Sequence, residues 1–320
     1  MKILVVVSRL FVAITFIFSG FVKLVDPLGS SYKFQEYFSA YVLDLEFLIP
    51  YALPFSIVLI LAEIMLGVML LVGYRPKLTV WSLLLLMFVF LFLTWYSAYY
   101  NKVTDCGCFG DAVELSAWGT FYKNIFLIVF VFILVWKSKL IKPLVTLNFA
   151  RWTTFLSLLS FLYLSYYVLV HLPIIDFRPY AIGKSIPEGM EFKGEDLPPI
   201  HDFYLESSDG ENLTDAVLAG EKIMLVVINT IGKSDRDGFS KMKLISDKAL
   251  KEGYTVYALS SSLNEEFNDI KEEFDFKFDM LFCDETTLKT VIRANPGVVI
   301  LNKGIVKDKR NWVDVEKIKL

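Results

Sequence analysis

The sequence predicts a membrane-embedded bundle of about five helices followed by a water-soluble α/β domain. The chain has 320 residues, of which 55% are hydrophobic, and its mean hydropathy is +0.52. These values exceed those of ordinary soluble chains. Charged side chains are sparse before position 195 and dense after it. This difference predicts that the chain passes from a membrane-embedded part to a water-soluble part near that point.

Five apolar stretches have the length of about 20 residues that a spanning helix needs. They lie near residues 3–25, 50–73, 78–99, 118–136 and 152–172. The first is too long for the apolar core of a signal peptide and ends without a small-residue cleavage site, so we interpret it as a retained helix. The aromatic and charged loop 27–48 predicts a helix lying at the membrane interface.

The loops between these stretches predict the orientation. Residues 73–77 and 137–151 carry Lys and Arg and contain no acid, whereas the other two loops are mainly acidic. The positive-inside rule then places the N-terminus in the cytoplasm. After five crossings, the C-terminal domain lies on the opposite face. In a bacterial inner membrane, that face is the periplasm, and the loop around residues 101–117 shares it.

Two ionisable residues interrupt the apolar stretches, Arg9 and Glu63. At 1.5 Å per residue, Arg9 lies roughly 9 Å and Glu63 roughly 15 Å from the inner helix ends. Because a buried charge is costly unless paired, we predict that the two form an ion pair. Such a pair either fixes the packing of the helices or forms part of a proton or quinone site.

The chain has three cysteines, and two of them, Cys106 and Cys108, flank Gly107 in the second outward loop. Closely spaced thiols facing an oxidising compartment favour a disulfide, and a strained, exposed disulfide is readily reduced. A reversible redox pair, an inert staple and a metal site are the alternatives. The two histidines, His171 and His201, are not at ligand spacing, so no metal is expected. No cofactor is evident, although a quinone would suit the redox alternative.

The membrane part resembles a known family. Helix 1 carries Ser-Arg-Leu at residues 8–10, Phe-Ser-Gly-Phe-Val-Lys at 18–23 and Asp-Pro at 26–27, and helix 2 carries Ala-Glu-Ile at 62–64 before Gly67. These features are similar to the DoxX family. The Asp-Cys-Gly-Cys-Phe-Gly segment at 105–110 resembles the motif of the related MauE proteins. The resemblance implies a four-helix unit over residues 1–140 that is associated with periplasmic redox or disulfide chemistry and, for MauE, with maturation of a disulfide-rich dehydrogenase subunit. The apolar pattern places a fifth helix and a linker after it, over residues 141–194.

Residues 195–320 alternate between strand and helix patterns. Strands are predicted at 222–229 and 254–259, helices at 235–252 and 264–274, and a hairpin at 297–306. This order resembles the thioredoxin fold of the membrane-tethered TlpA type. The whole arrangement resembles the DoxX-family proteins of Bacteroidetes that carry a C-terminal thioredoxin-like domain.

Asn295-Pro296 occupies the position of the thioredoxin cis-proline, so a cis bond is expected there. The redox cysteines of that fold are missing, because residues 230–235 read Thr-Ile-Gly-Lys-Ser-Asp. Without a thiolate, the domain cannot be a reductant by itself. We therefore assign Thr230, Asn295 and Pro296 to partner binding, and we expect Cys283 to pack as a small apolar side chain.

Two functions remain open. The first is a redox-associated membrane protein that assists disulfide chemistry or maturation of periplasmic proteins through Cys106 and Cys108. The second is a non-catalytic scaffold or assembly factor that holds a partner with its thioredoxin-like domain. A transporter is less favoured, because the helices show no paired breaks. Expected partners are the lipid bilayer and a periplasmic thiol protein. The acidic balance, a net charge of −3, argues against nucleic acid.

Overall fold

The computed structural model describes residues 2–102, 110–113, 115–194 and 197–320. The chain divides into two compact units, residues 1–169 and residues 170–320. Each unit has its own core, and each is described separately below.

The first unit is helical. Its helices are α1 (Lys2–Val25), α2 (Pro27–Phe38), α3 (Ala52–Val72), α4 (Pro76–Tyr100), α5 (Ala117–Trp136) and α6 (Leu147–Val170). Within the described residues, five helical segments are long and apolar enough to cross a membrane, namely α1, α3 with the short turn before it, α4, α5 and α6. Helix α2 lies in the loop 27–48, where a helix was predicted, and the Asp26 carboxylate caps its start by accepting a hydrogen bond from the Gly29 N–H at 3.0 Å.

Helices α1 and α3 cross at two glycines. A side-chain carbon added to Gly20 of α1 would lie 2.7 Å from Ile64 Cβ, and one added to Gly67 of α3 would lie 2.8 Å from Ile17 Cγ1. Small residues allow two membrane helices to approach this closely. The crossing fixes the register of the pair, with Gly20 level with Ile64.

The second unit is built on a five-stranded sheet. The strands are β1 (Ile223–Ile228), β2 (Thr255–Ser260), β3 (Asp279–Phe282), β4 (Gly297–Asn302) and β5 (Ile305–Asn311), in the order β3-β2-β1-β4-β5. Strands β1, β2 and β3 are parallel, whereas β4 runs antiparallel to both β1 and β5. The helices are α7 (Ile186–Met190), α8 (Thr214–Ala219), α9 (Arg236–Lys251), α10 (Asn264–Phe274) and α11 (Glu285–Val291).

Both faces of this sheet are covered. All six residues of β1 are buried, and they alternate between two apolar clusters. Leu225 and Val227 face one cluster together with Leu288 of α11, while Met224 and Val226 face the other together with Phe239 of α9. A strand buried on both faces accounts for the continuous apolar run in the sequence.

The segment predicted as a linker is built into the second unit. Tyr180 and Ile186 are buried in its core. Asp176 accepts hydrogen bonds from Arg178 and from the ammonium of Lys309 on β5, the latter at 2.6 Å. Lys309 also donates to the carbonyl oxygens of Tyr180 and Val291 at 2.9 and 2.8 Å. This buried network attaches the chain after α6 to the sheet.

Candidate functional site

Arg9 is bound to the end of a helix. Its guanidinium donates to the carbonyl oxygens of Leu70 and Leu71 at 2.8 and 3.0 Å and to that of Lys142 at 2.8 Å. The last carbonyls of a helix have no partner within the helix, and a cation is favoured there. Arg9 therefore caps the C-terminus of α3 and joins it to the segment after α5.

Glu63 is paired with Lys23. The Lys23 ammonium lies 2.7 Å from Glu63 Oε2, and both side chains are less than a tenth exposed. The predicted Arg9–Glu63 pair is therefore wrong. The depth estimate assumed that α1 and α3 end in the same plane, whereas the crossing at Gly20 and Gly67 sets Glu63 level with the last turns of α1 and Arg9 level with the end of α3.

The Lys23 ammonium has further contacts. It donates to Ser19 Oγ at 3.1 Å and lies 5.4 Å from the centre of the Phe90 ring. An ammonium carries three donors, and Glu63 and Ser19 accept from two of them. Ionisable residues inside membrane helices are rare, are almost always paired and often mark functional sites. The paired Lys23 and Glu63, with Ser19 and Phe90 beside them, are therefore a candidate site.

A pocket opens beside Lys23. It lies between α1, α2, α3 and α4 and encloses about 560 Å³ of empty space, counted out to its open mouth. Phe34, Leu59, Ile60, Phe90 and Leu93 form most of its wall, and Lys23, Ser56 and Thr94 add polar groups. Ser56 Oγ is fully buried and has no hydrogen-bond partner among the described residues.

A smaller hollow lies on the other side of the ion pair. Glu63, Ser19, Phe90 and Asn124 line it, together with Lys123 at the start of α5. The Asn124 amide donates to Thr94 Oγ1 at 3.4 Å, and Thr94 also lines the larger pocket. Lys23 thus faces one cavity and Glu63 the other, with Phe90 common to both.

Cys106 and Cys108 lie outside the described residues, so the structure places neither thiol. The chain is described again from Gly110, which begins a short 3-10 turn. A side-chain carbon added to Gly110 would lie 3.1 Å from Val22 Cγ1. The end of the cysteine loop therefore packs against α1 one residue before Lys23.

In the second unit, the Asn295 side chain organises the loop after β1. Its Oδ1 accepts hydrogen bonds from the Asn229 N–H at 3.0 Å and from Ser234 Oγ at 2.8 Å. Its Nδ2 donates to the Thr230 carbonyl at 3.2 Å. The structure therefore brings together Thr230 and Asn295, two of the residues assigned to partner binding.

The Asn295–Pro296 peptide bond is cis, as expected. Pro296 lies against the start of α9, where a side-chain carbon added to Gly238 would be 2.8 Å from Pro296 Cγ. Residues 232, 233 and 235–237 between β1 and this contact are exposed. Thr230, Asn295 and Pro296 thus lie at one end of the sheet, beside an exposed loop.

Cys283 is a core residue of the second unit. It is fully buried in the core beneath the sheet. Burial, with Asp202 nearby, raises the pKa of its thiol to about 12. A thiol with such a pKa is almost entirely protonated at neutral pH and is a poor nucleophile, so the expectation of a small apolar side chain holds.

Residues 1–137, which span α1 to α5, match the family described as Methylamine utilisation protein MauE. Over these residues the helical unit is similar to the MauE proteins. No curated protein matches the chain. The MauE match and the five apolar helices fit a multi-pass membrane protein.

The helical unit holds two site residues to which the sequence analysis gave no role: Lys23, which appeared there only within the motif at 18–23, and Ser56. Lys23 is in the last turn of α1, where a lysine is ordinarily taken to reach for the membrane surface. Its spacing of four residues from Ser19 was the available signal, because residues at i and i+4 share a helix face. Ser56 gave no such signal, because a serine in an apolar helix commonly donates to a backbone carbonyl of the preceding turn.

The described residues contain no group of three or more His, Cys, Asp or Glu side chains that could hold a metal ion. The pocket beside Lys23 combines donors with apolar and aromatic walls. That combination suits an organic ligand with oxygen acceptors and an apolar body.

Proposed function

We propose that the protein is a redox-associated membrane protein that assists disulfide formation or maturation in periplasmic proteins, with Cys106 and Cys108 as the exchanging pair. The observation that carries the proposal is the packing of Gly110 against Val22, beside the buried Lys23–Glu63 pair. Cys108 precedes Gly110 by two residues, and a residue spans at most about 3.6 Å. Covalent connectivity therefore keeps Cys108 within about 7 Å of Gly110.

The chemistry is thiol–disulfide exchange. A thiolate of the client attacks one sulfur of the Cys106–Cys108 disulfide, and the other sulfur leaves as a thiolate. A second client thiolate then attacks the mixed disulfide, so the client gains one disulfide and the pair is reduced. A disulfide between Cys106 and Cys108 would close a ring with only Gly107 between the two cysteines, and strain in so small a ring would favour this transfer.

The second unit serves as the client-binding domain, and we infer that it is thioredoxin-like. Three features support this inference: the parallel order β3-β2-β1, the antiparallel hairpin β4-β5, and a cis Asn295–Pro296 bond against the start of the helix that follows β1. The exposed loop after β1 and the polar edge at Thr230 and Asn295 give a client both a surface and hydrogen-bonding groups. The missing cysteines leave catalysis to the helical unit.

The orientation is part of the proposal. The basic segments 73–77 and 137–151 assign one set of loops to the cytoplasm, which leaves the cysteine loop and the C-terminal domain in the periplasm of an inner membrane. Disulfides persist in that compartment. A periplasmic cysteine protein is therefore the partner class.

The test is a mixed-disulfide trap in cells. Cys106→Ser and Cys108→Ser are each expressed with Cys283→Ala, and membranes are separated on non-reducing gels after acid quenching. At least one single variant is expected to accumulate a client adduct that disappears with reductant and in the Cys106→Ser/Cys108→Ser double variant. If neither single variant forms an adduct, and the wild-type pair does not exchange with glutathione, the redox function is wrong.

The scaffold is the second candidate. It is favoured by the absence of cysteine from residues 230–235 and by the burial of Cys283. A scaffold would need the edge at Thr230 and Asn295 but not the thiols. Retention of client maturation in the Cys106→Ser/Cys108→Ser variant would select it.

A further inference from the structure

The geometry points to a binding site for an isoprenoid quinone in the pocket between α1, α2, α3 and α4, where the quinone accepts the electrons of the Cys106–Cys108 dithiol. This inference rests on the proposed function for the electron donor, but the site itself rests on the pocket. The inference is argued from Ser56, Lys23 and the apolar wall that includes Phe90.

Ser56 is the first observation. Its hydroxyl is fully buried, lines the pocket and has no partner among the described residues. Leaving a buried hydroxyl without a hydrogen bond costs free energy, and most serines in membrane helices avoid this by bonding to a backbone carbonyl. A ligand carbonyl in the pocket would accept the missing bond.

The second observation is the position of Lys23. Its ammonium lines the same pocket while Glu63 and Ser19 hold it from behind. Among the residues that the structure describes, hydrogen bonds are recorded for two of its three donors, which leaves one for a group in the pocket. A quinone carries carbonyl oxygens on opposite sides of one ring, so it can accept from Lys23 and from Ser56.

The wall provides the third observation. Phe34 and Phe90 are aromatic, Leu59, Ile60 and Leu93 are aliphatic, and all five lie on membrane helices or on the interfacial helix α2. A flat ring packs well against aromatic side chains. An open mouth among apolar side chains suits a long hydrocarbon tail that stays in the bilayer.

The redox balance requires such an acceptor. Oxidation of the dithiol forms one S–S bond and releases two electrons and two protons. A quinone takes up two electrons and two protons, and its two carbonyl groups become the hydroxyls of a quinol. The two protons taken up by the quinone are those released by the dithiol. Lys23 lines the pocket and can donate a hydrogen bond to the nearer quinone oxygen, while Glu63, which lines the second hollow, holds the ammonium in place.

The test uses the full-length protein in lipid nanodiscs and decylubiquinone as the probe. The protein is reduced with dithiothreitol, desalted and mixed with the probe, and quinol is followed by its absorbance. We expect one quinol per protein from the wild type and none from Cys106→Ser/Cys108→Ser. Ser56→Ala is expected to need about tenfold more probe for half-maximal rate with the same maximal rate, the loss of roughly one hydrogen bond. Leu59→Trp, which fills the pocket, should abolish the reaction.

Binding is measured separately from turnover. The probe should raise the melting temperature of the wild type and of Cys106→Ser/Cys108→Ser, but not that of Leu59→Trp. Ser8→Ala is the matched control, because Ser8 is a buried serine of α1 that donates to the Leu4 carbonyl at 2.8 Å and does not line the pocket.

The outcomes separate the two proposals. If the thiol pair reduces the probe equally well in wild type, Ser56→Ala and Leu59→Trp, the pocket is not the quinone site although the redox function stands. If decylubiquinone still binds but no quinol forms, the pocket remains the quinone site, and the Cys106–Cys108 dithiol is not its electron donor. A melting shift of the detergent-solubilised protein that is produced by added phospholipid and not by decylubiquinone makes the pocket a lipid site and overturns the inference.

Discussion

Lys23 Nζ lies 2.7 Å from Glu63 Oε2 within the membrane unit, where both side chains are buried. Removing one partner of a buried pair leaves an unpaired charge, which costs about 3–5 kcal/mol, whereas removing both is often neutral. We therefore expect Lys23→Met and Glu63→Gln each to lower the melting temperature in detergent strongly. The double variant should return most of the way to wild type.

The exposed pair Lys33–Glu36 on α2 is the control for this cycle, because its partners lie 3.3 Å apart with side chains 35% and 40% exposed. Lys33→Gln should cost less than about 1 kcal/mol. A loss in the double variant equal to the sum of the two single losses would mean that Lys23 and Glu63 do not stabilise one another.

Arg9 and Glu63 should act independently. Arg9 caps α3 through the carbonyls of Leu70 and Leu71, so Arg9→Gln is expected to destabilise the bundle by about 2–3 kcal/mol, the range for losing charged hydrogen bonds. Combined with Glu63→Gln, the two losses should add within about 0.5 kcal/mol, as distant sites do. Strong coupling in the thermal unfolding of the four proteins would instead support a direct Arg9–Glu63 contact.

The second unit should become more stable as pH rises above neutral. Burial, with Arg178 and Arg293 nearby, lowers the pKa of Lys309 to about 7, although Asp176 opposes the shift. The unfolded chain therefore holds a proton between about pH 7 and pH 10.5 that the folded chain has lost. Stability then rises across that window by up to about 1.4 kcal/mol per pH unit. Below it, Asp176, whose pKa is lowered to about 2, contributes stability that is lost as pH falls from about 4 to 2.

Hydrogen exchange of β5 in the full-length protein, corrected for the intrinsic effect of pH, measures this dependence. Lys309→Met should flatten the slope between pH 7 and pH 10. Lys307→Met, at an exposed position on the same strand, should keep it. A slope unchanged in Lys309→Met would assign the pH dependence to another group.

Cys283 should not react with thiol reagents in the folded protein. With its pKa raised to about 12, its thiolate fraction at pH 8 is about 10⁻⁴. We expect a Cys106→Ser/Cys108→Ser variant to resist maleimide until denaturant is added, and Cys283→Ala to leave native labelling unchanged. Rapid native labelling of the double variant would show that the core around Cys283 opens.

The membrane helices and the sheet were predictable because each is a long periodic signal. Apolar runs of spanning length gave the five helices, and the buried run Ile223–Ile228 gave the central strand. The cis bond at Asn295–Pro296 was expected from the resemblance of this segment to the thioredoxin cis-proline.

The ion pair was not predictable from depth along each helix. Depth ignores how far one helix is shifted against another, and that shift is set by close contacts of Gly20 with Ile64 and of Gly67 with Ile17. The place of residues 170–194 in the second unit was missed for a similar reason. The network of Asp176 with Lys309 joins positions 133 residues apart, which no local pattern reveals.

The measurement that tests the central claim most directly is labelling of Cys106 and Cys108 in intact cells with a bulky, membrane-impermeant maleimide, in the Cys283→Ala background. The redox function predicts that both thiols are labelled only after mild reduction. It also predicts that the oxidised fraction falls when reduced client accumulates. Thiols that are labelled freely without reductant, and whose state never changes with growth conditions, would contradict a disulfide-exchanging pair and leave the scaffold as the function of this protein.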